Sequence, residues 1–244
     1  MISLVVNAYQ AQAALDRQLA QWRLWPLALR CAVEVVVVDD GSARPLAVDA
    51  GAVPQGMRLQ LARIHEDIAW NMPGARNLGA LLARGEWLLF HDVDHFVPAD
   101  GLALLLAHRQ RLDARTLYRF ARSADGQLIN PHINSFLCGR DGFWCAGGYD
   151  EDFAGHYGHE DSCFHGAWGA RVGPQLMLTD VVLDVHPRFA TQGLDRDTTH
   201  NSALFRHKAA EGFVPSRRRL RFDWSTAVLA PAVPVAAAEP ALAA

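Results

Sequence analysis

No run of apolar residues in this chain reaches the roughly 18 that a membrane-spanning helix requires. The amino terminus also lacks the charged head and cleavage site of a secretory leader, because Ile2-Ser3-Leu4-Val5-Val6 already reads as a strand. Four cysteines, Cys31, Cys138, Cys145 and Cys163, form no CxxC pair and no zinc spacing. That pattern disfavours a disulfide framework or a structural zinc and favours reduced thiols. A basic surplus is missing too: the formal charge is -3, which argues against a general nucleic-acid binder. Together these absences lead to the expectation of a cytoplasmic protein.

What is present is ordinary for a globular chain of 244 residues, with 50% hydrophobic and 20% charged residues. Strand-like runs at 2–6, 34–38, 58–62 and 87–90 alternate with helix-like stretches at 13–28 and 73–84. The first of these helices ends near Pro26; the second has Pro73 at its start and Gly85 just past its end. Continuous apolar strands interleaved with helices predict an α/β fold with a mostly parallel sheet covered on both faces. Ligands of such sheets bind beyond the carboxyl ends of the strands. A helix is expected over 100–111, and strands over 116–122 and 177–185. Residues 130–170 are rich in Gly, aromatic residues and His without clear periodicity, which suits a binding region more than a core.

Acidic pairs close two of the strands. Val35-Val36-Val37-Val38 runs into Asp39-Asp40, and Leu88-Leu89-Phe90-His91 runs into Asp92-Val93-Asp94. Side chains at i and i+2 of a strand share a face, so Asp92 and Asp94 aim two carboxylates at one point. Such a pair suits a hard cation bridging to phosphates; a solvated turn fits the residues as well. Asp39-Asp40 offers an acceptor for an imide N–H or a ribose hydroxyl, or caps a turn. Arg76, at the start of a helix facing the same crevice, can fork onto phosphate or onto Asp92.

Four segments stand in order: Val38-Asp39-Asp40-Gly41-Ser42, Gly74-Ala75-Arg76-Asn77-Leu78-Gly79, Phe90-His91-Asp92-Val93-Asp94, and Gly147-Gly148-Tyr149-Asp150 followed by Gly158-His159-Glu160-Asp161. This arrangement resembles the family 2 nucleotide-sugar glycosyltransferases of the GT-A fold over residues 2–210. Its last part resembles the carboxyl-terminal half of the β-1,4-galactosyltransferases and bacterial polysaccharide synthases. The resemblance implies a Rossmann-like central sheet flanked by helices. It implies one domain over residues 1–226, with a nucleotide-sugar half at 1–98 and an acceptor half at 99–226. It also implies a nucleotide site of Asn7, Tyr9, Asp39, Asp40, Arg76, Asp92 and Val93. A Mn²⁺ or Mg²⁺ ion is expected on Asp92, Asp94 and a histidine, either His186 or His200. Asp161 is expected to act as the base of an inverting transfer, and Glu160 to orient hydroxyls. The expected donor is a UDP-sugar of galactose, GalNAc or GlcNAc type, and the expected acceptor a glycan or lipid-linked glycan in polysaccharide synthesis.

A sugar nucleotidyltransferase would share the paired acids, but Asn7-Ala8-Tyr9-Gln10 lacks its Gly-rich, basic loop. A degenerate relative that only binds nucleotide or glycan is the third possibility. His156-Tyr157-Gly158-His159-Glu160 has the wrong order for a zinc-hydrolase helix. Trp144, Tyr149 and Trp168 are candidates for stacking on a sugar or base, with partly buried packing the alternative for each. The basic segment 217–224 suits a solvated face or a peripheral membrane contact on the inner face. Residues 227–244, rich in Ala and Pro, are expected to be a disordered tail.

Overall fold

The computed structural model describes residues 1–186 and 195–230. The chain runs β1 (Ile2–Ala8), α1 (Gln12–Leu24), α2 (Leu27–Ala32), β2 (Val33–Asp39), β3 (Arg58–Ile64), α3 (Met72–Leu82), β4 (Trp87–Asp92) and β5 (His95–Phe96). It continues through α4 (Ala99–His108), β6 (Leu117–Ala124), β7 (Gln127–Ile129), β8 (Phe136–Gly139), α5 (Arg140–Ala146) and α6 (Glu160–Arg171). The last elements are β9 (Gln175–Val185), α7 (Thr199–Ala210) and β10 (Trp224–Ala230).

The strands form one sheet in the order β10-β3-β2-β1-β4-β8-β6-β9-β5, with β7 paired to β6. Strands β3, β2, β1 and β4 pair with one another in parallel, as the βα alternation predicts. Past β4 the sheet is mixed: β8 is antiparallel to β4 and β6, and β9 is parallel to β6. Alternation within the parallel strands supplies two cores. On one face Leu4, Val6, Val35, Val37 and Leu89 pack with Leu15, Leu19 and Trp22 of α1. On the other, Val5, Val36, Val38, Leu88 and Phe90 pack with Leu78 of α3, Phe143 of α5 and Phe164 of α6. Helix α3 can lie this close to β1 because residue 79 is glycine. A Cβ there would stand 2.3 Å from Val5 Cγ1.

Four expectations change. The helix expected at 13–28 is two helices: Trp25 turns extended ahead of Pro26, whose ring disfavours helical geometry in the preceding residue. Residues 130–170 are largely core, with Phe136, Phe143, Tyr149, Phe164 and Trp168 fully buried. The expected tail begins later than 227, because β10 pairs antiparallel with β3 through Ala227 and Val228 and covers that edge. Residues 231–244 lie outside the described residues. The basic segment is not simply a solvated face either. Phe222 is buried, Arg221 donates to the Glu151 carbonyl, and Arg219 lies over the Trp144 ring. Among the described residues no helix is long and apolar enough to cross a membrane.

Candidate active site

Parallel pairing brings the carboxyl ends of β1, β2 and β4 side by side. Asn7 stands in register with Val38 on one side and Asp92 on the other, and Ala8 pairs with Asp39. The Asn7 side-chain oxygen is buried there without a hydrogen-bond partner. Asp39 is turned inward: it accepts from the backbone N–H groups of Ser42 and Leu46 and from Arg63 at 3.1 Å. The loop after β2 is therefore folded around this carboxylate. Asp40, also buried, accepts from the Asn71 amide at 2.9 Å. Burial, with Asp39 and Asp67 nearby, pushes the Asp40 carboxyl up to about 7 despite that hydrogen bond. Tyr9 is exposed on the adjoining loop and its hydroxyl donates to Asp67.

Arg76 does not face open solvent. It lies fully buried in the first turns of α3 and forks between two carboxylates. One terminal nitrogen donates to Asp92 Oδ1 at 3.0 Å, the other to Asp161 Oδ1 at 3.1 Å. It also donates to the Tyr149 hydroxyl, which in turn donates to Asp161 at 3.1 Å. Tyr149, a stacking candidate in the sequence, is thus a buried strut beneath the site. Its ring stacks on Phe164 at 4.6 Å. Trp168 is likewise wholly buried. The Asn134 amide, with its nitrogen turned toward Asp161, donates to both oxygens of that carboxylate. Asn77, beside Arg76, donates to the Tyr149 carbonyl and to Glu151 and accepts from the Tyr149 N–H. It thereby clamps the Gly147-Gly148 turn. Gly148 has φ +65°, and a Cβ there would meet the Asn77 oxygen at 2.7 Å.

One guanidinium carries a single positive charge against two carboxylates, so the other neighbours of each decide its ionisation. Burial works against the Asp92 charge, but Arg76, then His95 and His132, outweigh it and hold that carboxyl below its ordinary value. At Asp161 burial dominates the pull of Arg76, and the Asp92 charge adds to it, so its carboxyl is raised. Glu160, the first residue of α6, is raised by burial and by the adjacent Asp161.

A second group of side chains surrounds Asp92. His132 Nδ1 lies 3.3 Å from Asp92 Oδ2, and ligand atoms of Asp92, His95 and His132 all fall within 4.8 Å of one another. Among the described residues this is the group able to hold a metal ion. Of the ligands expected from the resemblance Asp92 belongs to this group, and Asp94, His186 and His200 stand outside it. Asp94 Oδ1 pairs with His95 Nδ1 at 2.8 Å, and the His186 backbone N–H donates to the Asp94 carbonyl. His200 stacks on His156 at 3.8 Å instead. The fully buried Gln18 of α1 donates its amide to the Val93 and His95 carbonyls at 2.9 and 2.6 Å and so fixes the loop carrying Asp94. His132, Asn134 and Gln18 carry no spacing signature. The one sequence signal for His95 was its position directly after the acidic pair.

The model of the family described as "Glycosyl transferase family 2" matches residues 3–173. Validoxylamine A glucosyltransferase of Streptomyces hygroscopicus subsp. jinggangensis is 28% identical over 138 residues, or 56% of this chain. The chain spans only 32% of that relative's length. Among solved structures, S. aureus TarS 1–349 in complex with UDP-GlcNAc superposes with a TM-score of 0.64 at 15% identity, covering 86% of this chain and 66% of that one. The mannosyltransferase PcManGT of Pyrobaculum calidifontis, in complex with GDP-Man and Mn²⁺, gives 0.55 at 18% identity, over 87% and 62%. At such identities the two structures speak for the fold.

Proposed function

The chain belongs to glycosyl transferase family 2, and we propose that it moves a sugar from a UDP-sugar to a hydroxyl of a glycan acceptor, with inversion at the anomeric carbon. The observation that carries this reading is the guanidinium of Arg76 shared by Asp92 and Asp161. Beneath that shared cation Asp92 is held below its ordinary value, while burial and the Asp92 charge raise Asp161 despite the cation, a separation that assigns different tasks to each.

On the acceptor side, Asp161 takes the proton of the attacking hydroxyl as its oxygen bonds to the anomeric carbon from the face opposite the diphosphate. The bond from that carbon to the diphosphate oxygen breaks, and the nucleoside diphosphate leaves. Tyr149, Arg76 and Asn134 hold the Asp161 carboxylate in place. Glu160, neighbouring it at the start of α6, orients acceptor or sugar hydroxyls. On the donor side, the unpartnered Asn7 oxygen offers an acceptor for an imide N–H or ribose hydroxyl. Tyr9, Asp39, Asp40 and Val93 border the same strand ends, and Arg76 acts through Asp92 rather than on phosphate.

Asp92, His95 and His132 fit a divalent ion by donor chemistry, one carboxylate oxygen with two imidazole nitrogens, a set that favours Mn²⁺ over Mg²⁺. Such an ion, when bound, neutralises charge on the departing diphosphate. The Glu160-Asp161 segment supports extending the reading to the galactosyltransferase-like carboxyl half. It also supports a donor of galactose, GalNAc or GlcNAc type and a surface or lipid-linked glycan as acceptor. The test is a panel of UDP- and GDP-sugars assayed for nucleoside diphosphate release with and without Mn²⁺. Mn²⁺-dependent release from a UDP-hexose is expected; no release from any donor overturns the reading.

A further inference from the structure

Arg122, on β6, points its guanidinium into the group of side chains around Asp92. Its Nη1 lies 2.9 Å from His95 Nε2, while Nε and Nη2 both donate to the Asn130 carbonyl. An arginine nitrogen can only donate. The contact therefore requires a lone pair on His95 Nε2, and the ring proton then sits on Nδ1, where it meets Asp94 Oδ1 at 2.8 Å. The lone pair that His95 offers a metal ion is thus capped by a fixed positive charge. No carboxylate among the described residues lies within ion-pair distance of Arg122; burial works against its charge, and the more distant Asp92 and Asp94 only partly offset that. A half-buried guanidinium held by a carbonyl and a neutral imidazole has no anionic partner of its own. Two vicinal phosphates offer that partner bidentately.

Resting on the donor and metal reading above, we propose that Arg122 couples metal binding to diphosphate binding. Without nucleotide, an ion entering the Asp92–His95–His132 group displaces Arg122 from His95 and gains no compensation. With a nucleoside diphosphate present, the displaced guanidinium moves onto phosphate, so ion and nucleotide bind together more tightly than either alone. Linkage makes the effect reciprocal. The site thereby discriminates against free ions and against donors lacking a diphosphate.

The test is Mn²⁺ binding to the full chain by electron paramagnetic resonance titration, without and with UDP and corrected for the Mn²⁺–UDP complex in solution. For the unaltered protein, UDP is expected to tighten Mn²⁺ binding about tenfold or more. Arg122→Met and Arg122→Gln are expected to bind Mn²⁺ alone about tenfold more tightly and to lose most of the UDP effect. Circular dichroism melting of both variants checks the fold, and ¹⁵N imidazole shifts of the unaltered protein check the Nδ1–H form of His95 independently. Mn²⁺ affinity unchanged or weakened in both folded variants overturns the coupling and leaves the metal reading standing. Failure of all three proteins to bind Mn²⁺, with or without UDP, overturns the metal reading and the coupling with it.

Discussion

Arg76 and Asp161, 85 residues apart in the chain, meet at 3.1 Å, and the same guanidinium holds Asp92 at 3.0 Å. The first turns of α3 thus join the strand end that faces the donor to the helix start that faces the acceptor. Removing the cation leaves two neighbouring carboxylates unbalanced in a buried setting. Arg76→Met is expected to lower unfolding free energy by about 3–5 kcal/mol in a urea titration. Arg76→Lys is expected to recover little, because an ammonium cannot fork. A loss under about 1 kcal/mol for Arg76→Met is incompatible with a structural fork.

Tyr149→Phe keeps the ring packed on Phe164 and deletes one hydroxyl. That hydroxyl donates to Asp161 and so holds its carboxyl down against the upward push of burial. Without it the Asp161 value rises further. The acidic limb of the kcat/KM profile, where activity appears as the base loses its proton, is expected to move to higher pH. A pH–rate series on the two proteins checks the shift, and an unmoved or downshifted limb contradicts the assignment.

Asp40 gives a stability signature. Its folded value, about 7, lies above the unfolded carboxyl value, so the folded state keeps the proton more tightly. Stability from this group is complete below the unfolded value and is lost as pH rises toward 7. Asp40→Asn keeps an acceptor for the Asn71 amide and carries no charge. Its melting temperature relative to the unaltered protein is expected to rise between pH 4 and 8, by on the order of 5 °C. A difference independent of pH refutes this account of Asp40.

For the metal group, His132→Ala is expected to weaken Mn²⁺ binding by about 100-fold in calorimetry. His186→Ala is expected to change it little, because His186 stands outside the group in the described residues. The reverse ranking returns the site to the ligands expected from the resemblance.

Much of the parallel half was legible because β2 is a valine run, β1 and β4 open on short apolar runs, and α3 is bracketed by Pro73 and Gly85. Residues 130–170 were not, since β8 spans 4 residues and α5 spans 7, too short to display a period. Strand β10 hid in an Ala/Val run whose place is set by pairing with the edge strand β3, distant in sequence. At the site, Asp92, Glu160 and Asp161 stood out as acids at element ends. The fork of Arg76, the strut of Tyr149 and the approach of His132 to Asp92 depend on long-range packing that no local spacing encodes.

The central claim is that Asp161 takes the acceptor proton. Asp161→Asn keeps the shape of the side chain and removes the base. With the preferred UDP-sugar, acceptor and Mn²⁺, sugar transfer measured by product formation is expected to fall about 10²–10⁴-fold while calorimetric UDP binding is retained. Transfer at the rate of the unaltered protein contradicts the claim.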